Sequence, residues 1–321
     1  MKKLLYATLA LVGLALPVQA ETVSIALSGT EDIKKNGEYV FAKTFSDHLN
    51  ANGVKTVIHP SNSVGKEKER FDQTAQGLVH VNFADAALLF KLAPMVKAIY
   101  LPFLYNGNRH FDEVVEKSNM ISRINDDLGV HGIRLAAFPF RGGQAGIFNT
   151  QHPITKFIDL SDIRVRAKDN LQLKIFESWG AKATIVDWSE VANALQTGVA
   201  DGYVNPPAAA TLFGHTDILK HFTPMNIGPS PRTVLLSEDW YASLDDDTRK
   251  IIDDGVQRGL AANRAWTENW IAFASDILRE KGVKISPLEP GERDKFVEAS
   301  KPLWPLIVGK ENVAILMKAA L

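Results

Sequence analysis

The 321 residues contain no cysteine. That excludes disulfides, thiolate metal ligands and a thiol nucleophile, so the fold must be held by burial alone. It also excludes a lipid anchor on a mature N-terminal cysteine. Neither sign of charge is in excess, with 36 Lys and Arg against 37 Asp and Glu, which argues against a nucleic acid or other polyanion as partner. No uncharged apolar run reaches the ~18 residues of a membrane-spanning helix. Catalytic signatures are missing too: there is no G-x-S-x-G elbow, no Walker loop and no H-E-x-x-H. The eight histidines do not fall at metal-ligand spacings, and His215 and His221, six apart, would point to opposite sides of a helix. Asp245, Asp246 and Asp247 precede a helical pattern, where carboxylates favour the positive end of the dipole. The further loop ligands of a calcium site do not follow. No metal and no cofactor is expected.

What is present begins with a leader. Lys2 and Lys3 precede a mostly apolar run from Leu4 to Leu16, then Pro17 and the small pair Val18 and Ala20. This pattern predicts a cleaved signal peptide over residues 1–20, a mature chain starting near Glu21 and a periplasmic location. Its removal leaves 34 basic against 37 acidic residues. The remaining chain of about 300 residues is long enough for two domains.

Short β-prone runs alternate with amphipathic helices. The segment Thr22 to Leu27 reads as a strand, and Phe41, Phe45 and Leu49 then mark one helix face ending near Gly53. "KTVIHP" reads as a strand, Glu67 to Gln76 as a helix and "HVNFAD" as the next strand, the grammar of a parallel sheet covered on both faces. The grammar restarts at "IRVRA", followed by a helix with Leu171, Ile175 and Trp179 on one face. "ATIVDW" is the next strand, and a short helix runs from Ser189, its expected N-cap, to Thr197 before Gly198. Between the halves, "FPFRGGQAGIFN" reads as a β crossing that bends at its glycines. From about Thr248 to Lys281 a Pro-free helical pattern would extend roughly 50 Å, long enough to span both lobes. The expected fold is α/β and two-lobed, with a hinged cleft. Lobe I takes residues 21–143 with about 230–264, and lobe II takes 144–229 with about 265–321.

The segment "LQTGVADGYVNPPAAA" (195–210) sets Asn205 against two rigid prolines, as either a turn residue or a side chain held for a ligand. Together with "WSEV" before it and an arginine about fourteen residues ahead of Gly180, it resembles the periplasmic solute-binding subunit of tripartite ATP-independent periplasmic (TRAP) transporters, the DctP-like group. "HVNFAD", "YLPFLY" and the long helical pattern are further similar features, so the likeness spans nearly all of the mature chain.

The resemblance implies a non-enzymatic subunit that encloses a small organic acid between two lobes and hands it to one small and one large membrane permease subunit. It implies Arg166, in "RAKD", as the carboxylate clamp, because a guanidinium offers parallel donors and stays charged. It further implies Asn205 as a second donor, Trp188 as an aromatic lining the cleft, Gln144 where relatives often carry a cation, and Asp85 as a reader of ligand hydroxyls or amines. Asp85 also suits a helix cap, and Trp188 also suits a core position. Strand alternation puts Arg164 on the same face as Arg166, so periodicity leaves both open; counting back from Gly180 favours Arg166. Relatives carry a proline soon after the arginine, where this chain has Ala167. An exported enzyme using Asp85 or Asp201 as base, or a ligand sensor, are the alternative functions.

Overall fold

A computed structural model describes residues 22–321; the expected signal peptide lies outside them. Eleven strands form two sheets: β1 (Val23–Ala26), β2 (Thr56–His59), β3 (Val81–Ala84), β4 (Ile133–Ala137), β5 (Gly146–Asn149), β6 (Arg164–Ala167), β7 (Lys182–Ile185), β8 (Gly202–Asn205), β9 (His221–Thr223), β10 (Thr233–Ser237) and β11 (Lys284–Ile285). The first sheet has the order β2-β1-β3-β10-β4 and the second β11-β9-β5-β8-β6-β7.

The expected parallel pairings are present: β1 lies parallel to β2 and β3, and β6 parallel to β7 and β8. Beyond these parallel pairings the sheets are mixed. β10 inserts antiparallel between β3 and β4, and β5 runs antiparallel to β8 and β9. The reason is connectivity. The chain crosses between sheets after β4 and again after β9, so the first sheet receives β10 from beyond the second sheet's main run of strands.

The third crossing is the helix Asp246–Glu280, 35 residues long. Asp245 caps it by accepting from the Thr248 N–H at 2.7 Å, which satisfies one of the orphan donors of the first turn. Its first half packs on the helix Gly37–Ala51, whose Phe41, Phe45 and Leu49 are fully buried. Each such side chain contributes about 1.5–3 kcal/mol. The crossing is close because Gly255 and Gly259 face those rings: a Cβ on Gly259 would sit 2.8 Å from Phe41. Asn263, fully buried in mid-helix, donates to the Gly37 and Phe140 carbonyls and accepts from the Phe140 N–H. The chain entering the first crossing is thereby tied to the helix. The second half of the helix reaches the second sheet at β11 and the helix Pro207–Leu212.

Two local readings differ from expectation. Ser189 is not an N-cap; it lies within a 3-10 turn, Trp188–Glu190, and the helix proper is Val191–Thr197, ending at Gly198 with φ +72°. His215 and His221 share no helix, since one sits in a short 3-10 turn and the other in β9. The C-terminal helices Trp304–Val308 and Lys310–Ala319 return to the first half of the chain, packing on Pro94–Tyr100 and Asn108–Lys117.

Candidate functional site

A cavity of about 350 Å³ opens between the two sheets. Its walls come from segments at or beyond the carboxyl ends of strands, the usual place for a ligand in an open α/β sheet. Ser28 follows β1, Asp85 follows β3, Lys168 and Asp169 follow β6, and Asn205 ends β8. Glu38 and Glu67 open the helices after β1 and β2, and Arg141 and Arg232 sit in the crossings.

On the second-lobe wall, Arg166 is 8% exposed. Its Nε donates to the Val186 carbonyl at 2.8 Å, and its guanidinium lies 5.6 Å from the Trp188 ring centroid. Neither Nη makes a hydrogen bond within the described chain, so the fork is held by its Nε with both terminal nitrogens to spare. Burial pushes the guanidinium down to about 10, with Asp85 opposing and Arg141 reinforcing that fall; it remains a cation at neutral pH. Asn205, 4% exposed, pairs with Gly146 in the β5–β8 ladder, and its side-chain amide has no partner among the described residues. Of the two earlier readings, the self-bonded turn is therefore the one the geometry lacks. Trp188 is half-buried, lines the cavity and packs edge-on against Phe213 at 5.0 Å.

On the first-lobe wall, Asp85 caps the 3-10 turn Ala86–Leu89 through the Ala87 N–H at 2.9 Å. The same oxygen accepts from Lys168 Nζ at 2.7 Å and from the Tyr100 hydroxyl at 3.2 Å. Lys168 follows β6 of the second sheet and Asp85 follows β3 of the first, so this ion pair spans the cavity between the sheets. Burial works to raise the Asp85 carboxyl, but Lys168, Arg232 and Arg141 outweigh it and hold the group well below the usual carboxylate range. Arg232, almost fully buried, contacts Glu38 at 3.1 Å, Glu67, and Asp85 at 3.5 Å.

Arg166, Asn205, Trp188 and Asp85 are thus brought together around one cavity. Gln144 is not among the lining residues: its Nε2 donates to Asn108 Oδ1 at 2.8 Å. Arg141, three residues earlier, lines the cavity instead, held by two contacts to Ser230 Oγ. Arg164 is exposed and bonds the Gly198 carbonyl at 3.0 Å, outside the cavity. Asp201 is likewise a surface tie, accepting from Gln151 and the Arg164 N–H. Arg141, Lys168, Glu38, Glu67 and Arg232 carry no motif of their own in the sequence.

The profile of the bacterial extracellular solute-binding proteins, family 7, the DctP group, matches residues 27–311. The chain belongs to this family. This DctP-group chain is 23% identical to the sialic acid-binding periplasmic protein SiaP of Vibrio cholerae over 317 residues, 95% of this chain and 94% of the relative. Among solved structures it is similar to the sugar acid binding protein DctPAm from Advenella mimigardefordensis in complex with galactonate, with TM-score 0.85, 22% identity, and coverage of 94% of this chain and 97% of that one. It is also similar to a TRAP periplasmic solute binding protein from Shewanella oneidensis with bound succinate, with TM-score 0.84, 18% identity, and coverage of 94% and 100%. A DctP-group protein is a binding subunit of a transporter and not an enzyme.

Proposed function

We propose that this protein captures a small organic acid between its two lobes and delivers it to the small and large membrane subunits of a TRAP permease. The observation that carries this reading is the presence of two unspent donor groups in the lining of one cavity. The Arg166 fork and the Asn205 amide face a common interlobe cavity, and neither has a partner within the chain. A fork of parallel N–H donors matches the two oxygens of a carboxylate. With Trp188 beside it, the site would enclose the acid end of the ligand in a largely dry space. Export through the signal peptide of residues 1–20 would place the protein in the periplasm, consistent with a family of periplasmic binding proteins.

The lobes proposed from the sequence, 21–143 with about 230–264 and 144–229 with about 265–321, would rotate about the crossings to admit and release ligand. Native mass spectrometry of the purified protein should find one acid per chain, released chemically unchanged. X-ray scattering should show a smaller radius of gyration when that acid is added to ligand-free protein. An unchanged scattering curve at saturation would sink the hinged-capture reading.

A further inference from the structure

Glu38 is the exception among the carboxylates of the first-lobe wall. Glu67 uses one oxygen to accept from Ser28 and Arg232 and the other to accept from the Asp85 N–H. Asp85 accepts from three donors at once. Glu38 lines the same cavity and is 7% exposed, yet neither of its oxygens accepts a hydrogen bond among the described residues. Its contact with Arg232 Nε, at 3.1 Å, lacks hydrogen-bond alignment, and that Nε is itself unbonded. A buried carboxylate with its acceptor capacity unspent calls for donors that the chain does not provide.

The charge balance says which donors fit. Glu38, Glu67 and Asp85 are matched by three cations: Arg232, Lys168, and the buried Arg70, which donates to Ser28 Oγ and lies near enough to Glu67 and Glu38 to feel their charge. A ligand ammonium would leave this wall one positive charge in surplus. A second ligand carboxylate would face three like charges with the wall's cations already engaged. Uncharged hydroxyls satisfy Glu38 at no electrostatic cost. Arg166 on the opposite wall and Arg141 in the crossing between the sheets have no ion-pair partner among the described residues, so the ligand's single negative charge belongs beside them. Size agrees. The cavity of about 350 Å³ lies within the ~300–1,000 Å³ of small-molecule sites, with room for a six-carbon acid and its hydroxyls.

We infer that the ligand is a polyhydroxylated monocarboxylate, its acid end on Arg166 and its hydroxyl-bearing end read by Glu38. This rests on the carboxylate reading of Arg166 proposed above. The test is calorimetric titration of the mature protein with galactonate, glucuronate, succinate, glutamate and neutral galactose. Both sugar acids should bind at one per chain, with succinate and glutamate weaker by about a hundredfold or more. Glu38→Gln should weaken the sugar acids roughly tenfold to a hundredfold, whereas Arg166→Ala should weaken every acid. Succinate or glutamate binding as tightly as the sugar acids would overturn the inference and leave the carboxylate reading standing. So would a folded Glu38→Gln with wild-type affinity for them. Galactose binding alone, or no acid binding at all, would bring down both. Should Glu38→Gln fail to fold, the wild-type ranking decides by itself.

Discussion

Replacing Arg166 by alanine separates a ligand clamp from a structural arginine, because the two roles predict opposite changes in stability. Truncating one partner of a buried charge pair costs about 2–5 kcal/mol in binding. Arg141 remains in the cavity, close enough for its charge to act on Arg166, so the loss should fall in the lower half of that range, about thirtyfold to a few hundredfold in affinity. Arg166→Lys keeps the charge but loses the planar fork and should recover only part of it. In the absence of ligand the sign reverses. Burial already pushes this guanidinium down to about 10, a cost on the order of a few kcal/mol carried by the empty site. Removing it relieves that cost while giving up one bond to Val186 and the contact with Trp188. The ligand-free melting temperature of Arg166→Ala should therefore stay level or rise. Arg164→Ala, at an exposed position, should change affinity by less than about tenfold, or ~1.4 kcal/mol. Titration calorimetry and differential scanning calorimetry on the three variants decide it. Wild-type binding by Arg166→Ala, or a larger loss in Arg164→Ala, would refute the reasoning.

Three further outcomes are expected. Asp85→Ala strands Lys168 in a buried site and should cost about 3–5 kcal/mol in urea unfolding; adding Lys168→Met should restore more than half of it. Burial, and then the Arg166 charge, push the His215 imidazole down to about 4 from an ordinary 6.5. Unfolded chains therefore take up a proton near pH 6.5 that the folded protein refuses until about pH 4. Stability should be full above the upper value and fall between the two, and His215→Gln should flatten that slope in melting curves taken at pH 7 and 4.5. At Gly202 a Cβ would lie 2.0 Å from the Phe148 carbonyl oxygen, a backbone atom that cannot turn aside. Gly202→Ala should destabilise by about 1–3 kcal/mol and, by displacing β8, weaken binding through Asn205 as well.

How much of this was legible in the sequence differs between the two walls of the cavity. Arg166, Trp188 and Asn205 lie within forty residues of one another, in β6, the turn Trp188–Glu190 and β8, so one stretch of sequence carries them. The first-lobe wall is assembled from four distant places. Arg232 reaches Glu38 and Glu67 only because β10 returns from the second half to lie beside β3, and no local pattern announces an antiparallel strand inserted from 150 residues away. Lys168 reads as an ordinary polar residue after a strand until Asp85 is placed opposite it. Gln144 shows the converse failure. The resemblance implied a polar contact there, but the Gln144 amide bonds Asn108, and Arg141 is the nearby residue that lines the cavity.

The buried apolar cluster has a thermodynamic consequence. Leu135 and Leu235 in the first sheet, Ile147 and Val165 in the second, and Phe296 and Trp304 near the C-terminus belong to one continuous core. Residues that share a core lose their contacts together, so the boundary that divides the sheets does not divide the free energy of unfolding. Heating should give a single calorimetric transition whose calorimetric and van't Hoff enthalpies agree. A fragment cut near residue 143 should remain unfolded, since half of that core would have no neighbour to exclude water. Two lobes in shape, the molecule should unfold as one cooperative unit.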